Sequence, residues 1–418
     1  MKPDSLGESL LQAARVLVCV DAGRSLSEAL GLLVNESPRA RAAASDIVYG
    51  VLRRFGESEF ILGKLLSRPL AHPETNALLQ SALYRLETRR DSTPMVVDQA
   101  VSAAGELADG RYKALVNAVL RNYLRRRETL LAESLKDETV RFMHPAWWLK
   151  RLRKTYPGQW EAIVDAGNSA PPMTLRVNLR KITQADYAMK LESSGLKAES
   201  IGSQALLLET PLPVNRLPGF DKGLVSIQDA GAQQAASLLA PEAGMRVLDA
   251  CAAPGGKATH LLELTGIDLL ALDIDETRAK KIAENLERAG FSAEIGVADC
   301  CAIESWWDGR PFDAILADVP CSGSGVVRRH PDIKKLRRES DIRKFAEKQR
   351  EILEALWQVL GPGGKFLYAT CSVFTEENTG QIDAFMVRHP EAERVLDRQL
   401  LPGRKHDGFY YALLRKTL

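Results

Sequence analysis

The sequence predicts an α/β protein in three parts: an all-helical domain over residues 1–135, a small mixed α/β domain over 136–228, and a larger domain over 229–418 built on a parallel sheet. Three observations carry this. Apolar residues recur at helical spacing as far as about residue 128. Between 140 and 230 short strand-like runs flank one capped helix. From 245 onward apolar strands alternate with amphipathic helices, the pattern of a parallel sheet covered on both faces. The length, 418 residues, suits several domains at roughly 100–200 residues each.

In the first part, Leu6, Leu10, Leu11, Ala14 and Leu17 mark one helix, and Ala43, Ala44, Ile47, Val48 and Val51 form an apolar stripe on a later one. Asp21-Ala22-Gly23, Pro38 and His72-Pro73 separate the helices. The stretch Arg121 to Arg127 closes the domain with four arginines and Tyr123, which suits phosphate contact and base stacking and makes Arg125 and Arg126 candidates to meet a nucleic acid. A solvated helix end, where arginines are favoured by the helix dipole, explains them equally well. In the second part, Thr174–Asn178 and Ala205–Glu209 read as strands, and the helix between them opens at a capping box of Thr183 and Asp186. Pro211, Pro213 and Pro218-Gly219 form the loop that leaves it. In the third part strands are expected at 246–250, 269–273, 293–298, 313–317 and 365–370, and helices near 258–265, 276–289, 341–360 and 376–388. A last strand at 408–414 comes too late to continue a simple winding and is expected antiparallel at the sheet edge.

Composition sets outer limits. Hydrophobic residues make up 45% and charged residues 26%, ordinary globular usage that excludes collagen-like, mucin-like and wholly disordered classes. The formal charge is +2, from 56 Lys and Arg against 54 Asp and Glu, so a polyanionic partner must be read from local patches. The cysteines, at 19, 251, 300, 301, 321 and 371, lack C-x-x-C spacing, which speaks against a disulfide framework or a zinc ribbon and for a reducing cytoplasm. No metal is expected. Asp4, Glu8 and Arg15 interrupt any signal-peptide core, and no apolar run of about 18 residues follows, so neither export nor membrane insertion is expected. Monomer is the default.

The chemistry lies at the strand ends. The strand ending at Ala250 runs into Cys251-Ala252-Ala253-Pro254-Gly255-Gly256-Lys257 and then a helix, where small residues let a nucleotide-like ligand approach free backbone amides. A P-loop would need Gly at 251 and Ser or Thr at 258, where this chain has Cys251 and Ala258. Asp273 ends the second strand, placed to accept from ribose hydroxyls, while Asp299 and Asp318 end the third and fourth. Any one of these acids could be a helix cap. Together they suit a cofactor with hydroxyls and an amine and no phosphate, which points to S-adenosylmethionine.

Cys321 follows Asp318-Val319-Pro320, and Cys371 ends the fifth strand in Ala369-Thr370-Cys371-Ser372, so two thiols share one rim. Cys19, Cys300 and Cys301 read as small buried apolar residues. A thiolate beside a methyl donor suits addition to carbon 6 of a pyrimidine, which makes carbon 5 nucleophilic. Asp318 is placed to stabilise the adduct at ring nitrogen 3, and the second thiol to assist release.

The segments DACAAPGGKATH, LDIDETR, DVPCSGSGVVRRHPDIK and ATCSVFTEEN resemble the RNA 5-methylcytosine methyltransferases, above all the bacterial Fmu, RsmB or Sun group. The helical part resembles the NusB-like RNA-binding domain of that group, and His144-Pro145-Ala146-Trp147-Trp148-Leu149 the start of its middle domain. The resemblance implies a Rossmann-like S-adenosylmethionine-dependent methyltransferase domain acting on a cytosine of small-subunit ribosomal RNA. It implies Cys371 as nucleophile and Cys321 as the thiol that promotes release, and it carries cofactor contacts onto the 251–257 loop, Asp273, Arg278, Asp299 and Asp318. Residues 328–344 hold eight cations against three acids, and Arg328, Arg329, Lys334 and Lys335, next to Cys321, are expected to hold the RNA backbone. Two other readings stay open: a non-catalytic RNA-binding or ribosome assembly factor, and a DNA cytosine methyltransferase in which Cys321 attacks. A base must leave any stack to be reached, which favours single-stranded or loop RNA.

Overall fold

The computed structural model describes Lys2 and residues 4–417. The chain divides into two compact units, Met1–Ser169 with Val327–Arg338, and Ala170–Val326 with Glu339–Leu418.

The first unit is helical. Its main helices are Leu6–Asp21, Pro38–Arg53, Pro73–Thr88, Thr93–Ala104 and Lys113–Ser134. Ser5 and Ser37 cap the first two by accepting amide hydrogen bonds from Glu8 and Ala40. Pro38 and Pro73 stand in first turns, so they open helices where a missing N–H costs nothing. Leu10, Leu17, Ile47, Val48, Leu79 and Leu83 meet in one apolar core. The chain stays helical beyond residue 135, through Ala146–Thr155 and Trp160–Asn168. Residues 327–338 also belong here: the Leu26 amide donates to Asp332 at 2.9 Å, and Leu336 packs on the helical core.

The second unit holds two sheets. The smaller has β1 (Thr174–Val177), β2 (Ala198–Ser200), β3 (Ala205–Leu208) and β4 (Val225–Ile227) in the order β2-β3-β1-β4, all antiparallel. Its helix, Gln184–Ser193, starts at Thr183, which accepts from the Asp186 amide and donates to the Asp186 carboxylate. Leu175, Val177, Tyr187, Leu191 and Leu206 form its core.

The larger sheet has β5 (Arg246–Asp249), β6 (Asp268–Asp273), β7 (Glu294–Val297), β8 (Phe312–Asp318), β9 (Leu360–Thr370), β10 (Ala392–Leu400) and β11 (Phe409–Lys416) in the order β10-β11-β9-β8-β5-β6-β7. Strands β5 to β9 are parallel, and β11 runs antiparallel to β9. The last strand is therefore antiparallel, as expected, but it is not the edge: β10 covers it. The charges of AERVLDRQL, suited to an exposed edge strand, hid β10 from a reading by apolar pattern. Helices Gly256–Leu264, Glu276–Ala289, Glu339–Val359 and Thr379–Arg388 accompany the sheet. Among the described residues no helix is long and apolar enough to cross a membrane. Because β5 lies between β6 and β8, the winding reverses there, and the crevice at the carboxyl ends opens at that point.

Candidate active site

The loop after β5 turns on Gly255, whose φ is +96° and whose added Cβ would stand 3.0 Å from the Ile282 backbone. Left-handed conformation and close approach both require glycine. A cavity of about 290 Å³ opens beside this loop, lined by Cys251, Ala253, Asp273, Arg278, Asp299 and Asp318. Ala252 turns its methyl into the core, Pro254 faces solvent, and Gly256 begins the helix.

Each carboxylate has a distinct setting. Asp273, nearly buried, accepts from the Ala253 and Asp275 amides at 3.1 Å and lies 3.5 Å from Arg278 Nη2. Asp299 accepts from the Cys301 amide, which holds its pKa below the usual range, and meets Lys348 Nζ at 3.4 Å. Lys348 also lies 3.6 Å from Cys301 Sγ, so an ammonium stands where Asp299 and Cys301 converge. Lys257 Nζ lies 2.5 Å from Asp318 Oδ2. Burial opposes the Lys257 charge, but Asp318 outweighs it and raises its pKa. Beneath them Asp249 is fully buried, and loss of solvation pushes its pKa up to about 7. Cys300 is buried as expected, its thiol raised to about 12 by its hydrogen bond to Cys251, while Cys301 is half-buried.

The two thiols meet. Cys321 Sγ and Cys371 Sγ are 3.2 Å apart, both free of disulfides. The Cys321 pKa is pushed well up, first by its hydrogen bond to Cys371 and then by burial. What fixes the pair is Glu377, fully buried. Its carboxylate accepts from Ser322 N at 2.7 Å, Ser322 Oγ and Ser372 Oγ at 2.5 Å, and Gln349 Nε2 at 3.2 Å. The residues after both cysteines thus share one acceptor, and Gly325 N donates to the Cys371 carbonyl at 2.8 Å. Asp249, Lys348 and Glu377 gain no role from the sequence. The signal for Glu377 was there, in Ser322, Ser324 and Ser372: three small hydroxyls beside two cysteines at adjacent strand ends need a buried acceptor.

The expected RNA contacts change. Arg328 and Lys334 are 2% and 1% exposed, which corrects their assignment to RNA. Lys334 Nζ donates to the Arg53 carbonyl and to Asn168 Oδ1, and the Arg328 carbonyl accepts from Arg53. Lys335 pairs with Asp21 at 2.6 Å and Glu59 at 3.2 Å, and Arg329 is half-buried. Tyr123 is also buried, its hydroxyl on Glu87, which further takes Arg127, so base stacking by Tyr123 is ruled out. Arg125 and Arg126 are exposed.

Residues 236–415 match the family described as 16S rRNA methyltransferase RsmB/F, residues 144–215 the ferredoxin-like domain of RsmF/B-like methyltransferases, and residues 8–125 the NusB family. The chain is 46% identical to ribosomal RNA small subunit methyltransferase B of Vibrio cholerae, over 97% of this chain and 96% of that one. It is 42% identical to the protein of the same name from Citrobacter koseri, over 100% of both. The crystal structure of PH0851 shares the fold with a TM-score of 0.83 at 23% identity, over 100% of this chain and 99% of that one.

Proposed function

Because the chain belongs to the ribosomal RNA small subunit methyltransferase B family, we propose that it methylates carbon 5 of a cytosine in 16S ribosomal RNA through a covalent adduct with Cys371. The cofactor of this reading is S-adenosylmethionine, which when bound supplies a methyl group on a positively charged sulfur. The cavity residues fit it: Asp273, Asp299 and Asp318 suit hydroxyls and an amine, and the loop lacks the P-loop spacing that would cradle phosphates.

The observation that carries the reading is the thiol pair at 3.2 Å beside that cavity. The Cys371 sulfur bonds to carbon 6 of the cytosine, which makes carbon 5 a nucleophile toward the methyl group. Asp318, with the Lys257 ammonium 2.5 Å away, offers a hydrogen-bonding acid and a neighbouring proton to ring nitrogen 3. Cys321, as the thiolate, then takes the carbon 5 proton, the electrons of that C–H bond restore the double bond between carbons 5 and 6, and the Cys371 sulfur leaves carbon 6 as a thiolate.

The test uses unmethylated small-subunit ribosomal RNA and labelled cofactor. Cys321→Ala accumulates an RNA adduct stable to denaturing gels, and Cys371→Ala forms none and transfers no methyl. Wild-type methylation by Cys371→Ala overturns the proposal. An adduct that depends on Cys321, formed on DNA, would favour a DNA enzyme, and RNA binding with no transfer would favour an assembly factor.

A further inference from the structure

Arg328, Lys334 and Lys335 are engaged inside the protein, and the cations that line the catalytic cavity are Arg278 and Lys348. The turn between β10 and β11, residues 401–408, is tied to both cysteine loops. Gln399 Nε2, at the foot of the turn, donates to the Ser372 carbonyl at 3.1 Å, one residue from Cys371. At the other foot, Gly408 N donates to the Gly325 carbonyl at 2.8 Å, and a Cβ on Gly325 would fall 2.4 Å from the Gly408 oxygen. Two backbones in such contact leave no freedom to slide. The Asp229 carboxylate accepts from Asp407 N at 3.1 Å and Gly231 N at 2.8 Å, which pins the same foot.

The turn carries Arg404 and Lys405, both exposed, and His406, and exposed Arg398 stands beside it near the end of β10. Two cavities flank it. One, of about 450 Å³, is lined by Arg398, Lys405 and His406 against Gln204 and Gln234; the other, of about 610 Å³, takes in Arg404 and Glu199. The Lys405 ammonium meets Glu199 Oε1 at 2.5 Å between them, so a carboxylate already sits among the cations, in the kind of place a phosphate would take. Cations on a rigid turn with amide side chains opposite suit a sugar-phosphate chain whose bases are splayed out.

We propose that the β10–β11 turn and the end of β10 form a docking site for the single-stranded RNA flanking the target cytosine, with Arg398, Arg404 and Lys405 on its phosphates. The assignment rests on the RNA methyltransferase reading, and its test is a binding measurement that does not need turnover. The full chain is titrated into a fluorescein-labelled single-stranded RNA of mixed sequence over a range of salt.

For three lost phosphate contacts, Arg398→Ala/Arg404→Ala/Lys405→Ala weakens binding at least tenfold at about 0.1 M salt and flattens the slope of log K against log salt by about 2. Glu199→Ala, which frees Lys405, binds RNA more tightly than wild type. An unchanged slope in the triple variant, at wild-type thermal stability and cofactor affinity, overturns the proposal. So does equal weakening by Glu199→Ala and Lys405→Ala, the mark of a purely structural pair. If the chain binds RNA through this turn yet transfers no methyl, the enzymatic reading fails and the docking site stands. Methylation with unaltered salt dependence in the triple variant gives the reverse.

Discussion

Glu377 is predicted to set the rate without touching substrate. Its carboxylate takes four hydrogen bonds from Ser322, Ser372 and Gln349, in a place closed to water. Removing it in Glu377→Ala orphans the Ser322 amide, which cannot rotate away, while the Gln349 amide group keeps its hydrogen bond to the Pro320 carbonyl at 3.0 Å. At about 1–3 kcal/mol for the stranded amide, the cost is on the order of 2 kcal/mol. The hydroxyls of Ser322, Ser324 and Ser372 lie 3.1 to 3.2 Å apart and can pair among themselves, so they add little. The loops carrying Cys321 and Cys371 then lose their shared anchor, and a displacement of about 1 Å between reacting groups lowers the rate roughly 100-fold. Glu377→Gln keeps one oxygen for the Ser322 amide, so its rate falls about tenfold and its stability by about half as much. The assay is single-turnover methyl transfer at saturating cofactor, with adduct trapping in a Cys321→Ala background. Wild-type single-turnover rates in Glu377→Ala would refute the argument, whatever happened to stability.

Three more consequences can be read directly. Arg176, fully buried on β1, pairs through two 2.8 Å contacts with Glu263, so Arg176→Ala strands a buried carboxylate and destabilises the chain by about 3–5 kcal/mol in denaturant unfolding, while Arg176→Met/Glu263→Met recovers most of it. For Asp249, the folded pKa of about 7 stands above the ordinary 3.8, so the folded state holds a proton the unfolded chain releases. Stability is therefore full below about pH 4 and falls as pH rises to about 7, by at most about 4 kcal/mol, and Asp249→Asn flattens that slope. Gly255→Ala forces a methyl against the Ile282 backbone at a φ of +96°, and calorimetry should find cofactor affinity lowered about tenfold.

The parallel sheet was legible because its strands β5, β6, β8 and β9 are buried on both faces and read as apolar runs. Asp273, Asp318, Cys321 and Cys371 were legible for the same reason, since strand ends fix which loops share a rim. Strand β10 was not, because half its side chains face water. Glu377 was legible only in part: the hydroxyls of Ser322, Ser324 and Ser372 call for a buried acceptor, but only the fold brings both loops onto this carboxylate. The residues of 327–338 misled for a further reason: a run of cations records charge, while the fold decides whether carbonyls or acids already hold it.

Lys334 tests that last point. Burial, and then the neighbouring Arg53, lower its pKa to about 7 from 10.5, so between these values the unfolded chain binds a proton the folded one has released. Stability then rises with pH from about 7 to about 10, by at most about 5 kcal/mol, and thermal unfolding of Lys334→Met should lack that rise. A phosphate-binding lysine behaves oppositely: it stays exposed, keeps its proton, and contributes to the salt slope of RNA binding. Lys334→Met is therefore expected to leave that slope at its wild-type value while altering the pH dependence of unfolding. A slope reduced by about 0.7 with no change in the pH profile would return Lys334 to the RNA surface and refute the partition of cations argued from burial.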